Sequence, residues 1–490
     1  MKEAYLDMLT NIPIIFIPGT SGSSLDTSTR FRHEFPGDTH TFPEVCETCP
    51  LGVAVHNDEL FDYRPGPFDI TKPWAYDPAG PRVWIGPEAV GYLVADDVNA
   101  NRGNHYFDVL KYDDHGHNTV FAQIGSGTVL QQVNLAPGGI LNQPIYKPLL
   151  DFLTGAPPNG LGRPLNSGAN GLYLFPYDWR ADLPDQAARL EAFVDTVLSR
   201  PEVQAAHVQK VVLLTHSLGG PISRAYYLSS PSKVDQVISI ASGFGGVILP
   251  LKILTMGDTW GFGIGFGALT VGFTEWETQA LAQNWGTAYF QLPSSDLWFS
   301  DDGAIFDRSY IRDERQPLPH SHQASMSWIQ LHNNATLTNR AESFFTSTSP
   351  SLDDFRAGTG SIPHHRIISK GRMDTVVAIR IYTGTSDACQ FAMQTGLPVN
   401  PAECVPITRY EPIHGDGDST IPYHGLLGTI APTENRIYVL DNVNDHIEHF
   451  ALTTRPEVHH LIASLLDGSV TNQTQVAAIF QSPGTVTELL

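Results

Sequence analysis

The sequence predicts an α/β protein in which a mainly parallel central sheet is flanked by helices and carries large insertions. Three observations predict it. Ile12 to Ile17 and Val211 to Leu214 are short continuous apolar runs, the pattern of strands buried on both faces. Segments with apolar residues at helical spacing lie between such runs. The second run leads directly into Thr215-His216-Ser217-Leu218-Gly219-Gly220, which sets a serine at the turn where a buried strand becomes a helix.

In chain order, Leu172 to Phe175 is the next expected strand. Asp185 to Ser199 places Leu190, Phe193, Val194, Val197 and Leu198 on one stripe, so it is expected as a helix lying on the sheet. Pro221 to Leu228 continues from the serine turn as a second helix. Val234 to Ile240, Val376 to Tyr382 and Arg436 to Leu440 read as further strands. Glu457 to Leu466 closes the series as an amphipathic helix facing inward with Val458, Leu461, Ile462, Leu465 and Leu466. Residues 20–145 and 244–365 break the alternation. Segments of that length are rarely structureless inside a compact protein. The first is expected as an insertion after the first strand, a membrane- or substrate-binding subdomain, and the second as a cap or lid; irregular surface padding is the alternative. No repeat of 20 to 50 residues is present, which argues against solenoids and propellers. At 490 residues the chain fits one large decorated domain, 1–490, or two domains.

The 29 basic and 51 acidic residues give a formal charge of −22, which opposes phosphate backbones and excludes nucleic acid as an expected partner. The start Met1-Lys2-Glu3-Ala4 runs within a dozen residues into an apolar strand, so no secretory leader is visible. A cytoplasmic protein is expected, or a secreted one whose leader was trimmed. Val247 to Phe273 is the most apolar later stretch, but Lys252, Asp258 and several glycines make a spanning helix an unsuitable reading. Of the four cysteines, Cys389 with Cys404 would close a modest loop as a disulfide. Cys46 and Cys49 permit metal or redox chemistry, but no second C-x-x-C completes a zinc site, so neither metal nor cofactor is expected.

A serine hydroxyl is a poor nucleophile at neutral pH and needs a base, and the base needs a carboxylate to fix its tautomer. After a strand–serine–helix turn, the acid and then the histidine are expected downstream on loops that follow strands. His414-Gly415-Asp416-Gly417-Asp418-Ser419-Thr420-Ile421-Pro422 offers Asp416 or Asp418 as the acid, with an ordinary Asx turn or a weak calcium loop as the alternative. Asn444-Asp445-His446-Ile447-Glu448-His449 offers His446 or His449 as the base, just ahead of a proline-started helix. His216, beside the serine, is expected to pack beneath the turn. An oxyanion formed at Ser217 would need amide donors. Leu218 is expected to supply one, and Thr20, in the glycine-bearing loop Ile17-Pro18-Gly19-Thr20-Ser21-Gly22, the other. That loop lacks both a P-loop lysine and G-x-G-x-x-G, which disfavours a nucleotide.

Taken together, these pieces resemble the lecithin:cholesterol acyltransferase and lysosomal phospholipase A2 family of α/β-hydrolases. The resemblance rests on Ile14 to Leu25 with its P-G-x-x-G-S-x-L form, on Phe175-Pro176-Tyr177-Asp178-Trp179-Arg180, on the turn at Ser217, on Gly417 to Pro422 and on the final histidine loop. A weaker likeness to that family's cap segment spans Asn284 to Ser295. The resemblance implies an α/β-hydrolase fold, an acyl-enzyme on Ser217, a mobile lid, lipid or other ester substrates and transient contact with a membrane or lipid interface. It favours Asp418, in D-x-T-[VI]-P form, and His449, by its distance to Pro456-Glu457-Val458. It also places Trp179 near an acyl-binding cleft, with a buried core tryptophan as the alternative. Thr215 departs from the usual glycine, and Cys46 and Cys49 are too close together for the long disulfide-closed lid loop of the animal enzymes. The expected activity is serine carboxylic-ester hydrolysis of lipase, esterase or phospholipase type. Acyl transfer to an alcohol acceptor and a non-catalytic lipid-binding relative are the alternatives, and the oligomeric state stays open.

Overall fold

Alternation along Ile14–Ile17 (β1) sends Ile14 and Phe16 into one apolar core and Ile15 and Ile17 into another, all four fully buried. A strand sandwiched between two cores has no polar face, which is why its sequence is a plain apolar run. The computed structural model describes residues 12–27, 110–117, 124–134, 142–258, 275–293, 310–315, 322–346, 362–395, 398, 404–428, 435–441, 447–469 and 486–489, with short strands at 54–55, 63–64, 82–84, 264–266 and 269–271.

The other strands of the main sheet are Leu172–Leu174 (β2), Val211–His216 (β3), Val234–Ile240 (β4), His364–Lys370 (β5), Asn435–Asp441 (β6) and Val486–Leu489 (β7). They run in the order β2-β1-β3-β4-β5-β6-β7, a seven-stranded sheet in which only β7 is antiparallel to its neighbour. In register, Ile17 of β1 lies beside Thr215 of β3. Strand order reverses at β1, and in sheets of this kind the crevice outside the strand ends at such a point is where ligands bind. The loop after β1 and the turn after β3 both open there. This is the α/β-hydrolase fold.

Helices cover both faces. Leu183–Leu198 (α2) starts where the Asp182 carboxylate accepts the Asp185 amide at 3.0 Å and Pro184 occupies the first turn. It buries Leu190, Val194 and Val197 and packs on Gly219–Ser229 (α3). On the opposite face lie Lys147–Thr154 (α1) and Pro456–Leu466 (α5). They bring Leu149, Leu150 and Leu153, and Val458, Leu461, Ile462 and Leu465, into the core of Ile14 and Phe16. Leu249–Met256 (α4) follows β4.

The strand expected at Val376 to Tyr382 exists as Thr375–Thr385 but does not join the main sheet. It pairs antiparallel with Pro406–Gly415 and parallel with Ile311–Asp313, forming a separate three-stranded sheet. Val376, Val377, Ala378 and Ile379 are all buried there, so the segment looks like a core strand whichever sheet holds it. The main-sheet strand in this region is β5, whose first half, His364-His365-Arg366, hides it from a hydrophobic count. His364 and Arg366 are nonetheless buried, the imidazole accepting from Arg224 Nη2 at 2.9 Å. Cys389 and Cys404 form a disulfide joining the far ends of the hairpin. Cys46, Cys49 and His446 lie outside the described residues.

Candidate active site

β3 ends at His216, and Ser217 adopts a left-handed backbone with φ of +52°, turning the chain sharply into α3. Strained backbone of this kind aims the side chain off the end of the sheet. The turn closes tightly because Gly219 has no side chain: a Cβ there would sit 2.4 Å from the Ile17 carbonyl oxygen. Gly19 faces the same constraint from the other strand, where an added Cβ would come within 2.8 Å of Ser217 Cβ. Thr215, two residues earlier in β3, is fully buried in the position where a glycine is usual.

The hairpin Thr375–Thr385/Pro406–Gly415 delivers the acid loop. Asp418 is fully buried; its Oδ1 accepts the amides of Thr420 at 3.1 Å and Ile421 at 2.7 Å, and its Oδ2 is 2.7 Å from His449 Nδ1. The Asp418 carbonyl also accepts the His449 amide at 2.9 Å. A carboxylate at Nδ1 holds the ring proton on that side and leaves the Nε2 lone pair available as a base. Asp416 is turned elsewhere, its Oδ1 accepting the Gly371 amide at 2.6 Å and so tying the acid loop to the end of β5.

Thr20, Ser21, Ser217, Thr420, His449 and Phe450 line one cavity of about 300 Å³. Among the described residues no side chain is hydrogen-bonded to Ser217 Oγ, and the amides of Thr20 and Leu218 donate to no protein acceptor. Leu249, Pro250 and Lys252 of α4 form another part of the wall, with Asp258, Asp374 and His414. Its charges are paired: Lys252 with Asp258, and Asp374 with Arg372 at 2.6 Å. The Arg372 hydrogen bond holds the Asp374 carboxyl below the usual range. Apart from His414, at the head of the acid loop, these wall residues carry no motif, and nothing in the sequence assigns them to a site. Among the described residues no His, Cys, Asp and Glu cluster is arranged to hold a metal ion.

Trp179 is not among the described residues lining this cavity. It is fully buried and meets Trp285 edge to face at 5.1 Å between ring centres, so it sits in the core. Its neighbours brace the same end of the sheet. Tyr177 donates to the Pro18 carbonyl at 2.9 Å, and Arg180 grips Asp178 through Nε–Oδ1 at 2.9 Å and Nη2–Oδ2 at 2.6 Å. Burial opposes the Asp178 charge, but that guanidinium and the Tyr112 hydroxyl at 2.8 Å outweigh it and hold the carboxyl below its ordinary value.

Comparison with known proteins gives a match to the family described as lecithin:cholesterol acyltransferase, over residues 168–301. The matched segment holds Phe175 to Arg180 and the turn at Ser217, whereas Thr20, Asp418 and His449 fall outside it. No curated protein matches the chain. A solved structure described as the Tle4-Tli4 complex is similar at 13% identity over 94% of this chain and 98% of that one, with a TM-score of 0.42. The lipase BlEst2 of Bacillus licheniformis, in propeptide form, is similar at 11% identity over 61% of this chain and 44% of that one, TM-score 0.28. A chain from work on carboxylesterases of the thaumarchaeon Nitrososphaera gargenis gives 11% identity over 61% and 82%, TM-score 0.24. The lecithin:cholesterol acyltransferase match and the parallel sheet both agree with the resemblance drawn from the motifs.

Proposed function

We propose that this protein is a serine carboxylic-ester hydrolase of lipase, esterase or phospholipase type, working through an acyl-enzyme on Ser217. The reading rests on one observation above all: His449, held at Nδ1 by a buried Asp418, faces the cavity that Ser217 also lines. In this proposal Ser217 Oγ attacks the ester carbonyl carbon while His449 Nε2 takes its proton. The negative charge on the carbonyl oxygen meets the Leu218 and Thr20 amides. The intermediate then collapses, His449 returns the proton to the departing alkoxide, and a water molecule activated by the same nitrogen releases the acid. Residues 244–365 serve as a cap, a reading supported by the cavity wall that α4 supplies, and the insertion expected at 20–145 lies largely outside the described residues.

Acyl transfer to an alcohol is the second reading, favoured by the family match over residues 168–301. The acyl-enzyme is common to both, and the acceptor alone differs. The test is labelling by a fluorophosphonate, with turnover of esters of graded chain length in the presence and absence of a long-chain alcohol. Ser217→Ala should abolish labelling and reduce ester turnover by several orders of magnitude with folding intact. An unlabelled protein, or a Ser217→Ala variant with full turnover, would overturn the assignment. Ester as the dominant product in the alcohol arm would make transfer the principal activity.

A further inference from the structure

Tyr146, the residue that precedes α1, is fully buried, and its hydroxyl joins two parts of the site that lie far apart in sequence. It accepts the Gly19 amide at 2.8 Å and stands 2.8 Å from His216 Nδ1. Burial raises its pKa, so the phenol keeps its proton. With one lone pair engaged by Gly19, that proton is directed to His216 Nδ1. His216 is also fully buried, and desolvation, helped by the neighbouring His449, keeps it neutral with a pKa well below the usual histidine value. Its own proton therefore resides on Nε2, which lies 3.4 Å from the His449 carbonyl oxygen. The two imidazoles pack with ring centres 4.8 Å apart.

We propose that Tyr146 and His216 are positioning residues: a hydrogen-bonded chain from the Gly19 amide through Tyr146 Oη and the His216 ring to the His449 carbonyl sets the oxyanion loop and the general base in register. The inference rests on the hydrolase reading of the same site. Asp418 tethers His449 by its amide and by Nδ1, and His216 adds a tether at the carbonyl. At the other end, fixing the Gly19 amide fixes the peptide immediately before the one that carries the Thr20 amide. Slack is small there, since a Cβ on Gly19 would already collide with Ser217 and would sit 3.0 Å from His216 Nδ1. A displacement of about 1 Å among reacting groups can cost about 100-fold in rate. The chain also determines which amide of the loop is free for substrate: the Gly19 N–H is engaged by Tyr146, and the Thr20 N–H is not.

The test compares Tyr146→Phe, His216→Phe, His216→Asn and the Tyr146→Phe/His216→Phe double variant in the full-length protein. Turnover of a short ester is expressed per site labelled by fluorophosphonate, and thermal melting is followed in parallel. Tyr146→Phe deletes one oxygen and should lower kcat about 10- to 100-fold with KM unchanged within about twofold. The double variant should lose no more than its worse parent, because groups acting as one unit are not additive. His216→Asn, which can still offer an acceptor to Tyr146, should retain more kcat than His216→Phe. Should His216→Phe fail to melt cooperatively, Tyr146→Phe and His216→Asn decide the matter. An unchanged kcat in Tyr146→Phe, or single losses that multiply in the double variant, would overturn the proposal. Wild-type protein that resists labelling sinks the hydrolase reading itself, whereas full labelling with an unaffected Tyr146→Phe sinks only the positioning role.

Discussion

One carboxylate oxygen of Asp418 is committed to backbone amides and the other to the imidazole of His449. Asn at this position would keep the shape but offer an NH2 or a neutral oxygen where the imidazole needs an anion. Asp418→Asn is therefore expected to lower kcat on a short ester by about 10⁴-fold with little change in melting temperature. Asp416→Asn should stay within about threefold of wild type, since the amide oxygen can still accept from Gly371 and the group does not face His449. Comparing kcat/KM of the two variants tests which aspartate faces the base. The turn at Ser217 and the pairing of Asp418 with His449 were legible in the sequence because each residue is a chemical type set in a recognisable local frame and in a fixed chain order. Tyr146 was not, because a tyrosine before a helix carries no motif; its significance arises only from contacts 127 and 70 residues away in sequence. Trp179 shows the converse. It belongs to a specific local pattern, yet a pattern does not say whether a large ring faces a cavity or the core.

The β1 loop, the serine turn and α3 are packed so closely that backbone, rather than side chains, sets their separation. Gly219→Ala would thrust a methyl group to 2.4 Å from the Ile17 oxygen, with no flexible side chain available to yield. Overpacking of this kind typically costs about 1–3 kcal/mol. The expected outcome is a lower denaturation midpoint together with reduced labelling of Ser217, measured on the same sample. A melting curve identical to wild type would show that the strand ends can separate more freely than the geometry indicates. Element recognition succeeded where one period dominated: α2, expected over 185–199, is Leu183–Leu198, and α5, expected over 457–466, is Pro456–Leu466. It failed at β5, where buried His364 and Arg366 pair with groups on other elements, and at α1, whose eight residues are too few to establish a period. The strand at Thr375–Thr385 was legible as a strand but its sheet was not, since burial on both faces says nothing about which neighbours a strand will take.

Among the described residues, burial pushes His216, His364 and His459 below the ordinary histidine value of about 6.5. The unfolded chain binds their protons near pH 6.5, whereas the folded chain must stay neutral at these positions, so stability is fully present above about pH 6.5 and declines as pH falls below it. A second loss is expected at lower pH, below the ordinary aspartate value, as Asp178 is protonated through its depressed folded pKa. Melting temperature recorded from pH 8 to 4 in Ser217→Ala should be flat at first and then fall from about pH 6.5. A curve flat down to pH 5 would mean that the buried imidazoles accept protons without cost. The hairpin that carries the acid loop has a different consequence. Its strands run from the Thr375/Gly415 pair to the Thr385/Pro406 pair, and the Cys389–Cys404 bridge clips the far end. At about 3.4 Å per residue that end lies roughly 30 Å along the ladder from the carboxylate. A fluorophore, an affinity handle or a whole carrier protein grafted between the two cysteines would thus ride on a covalently pinned outrigger, reporting on or immobilising the molecule without disturbing its chemistry.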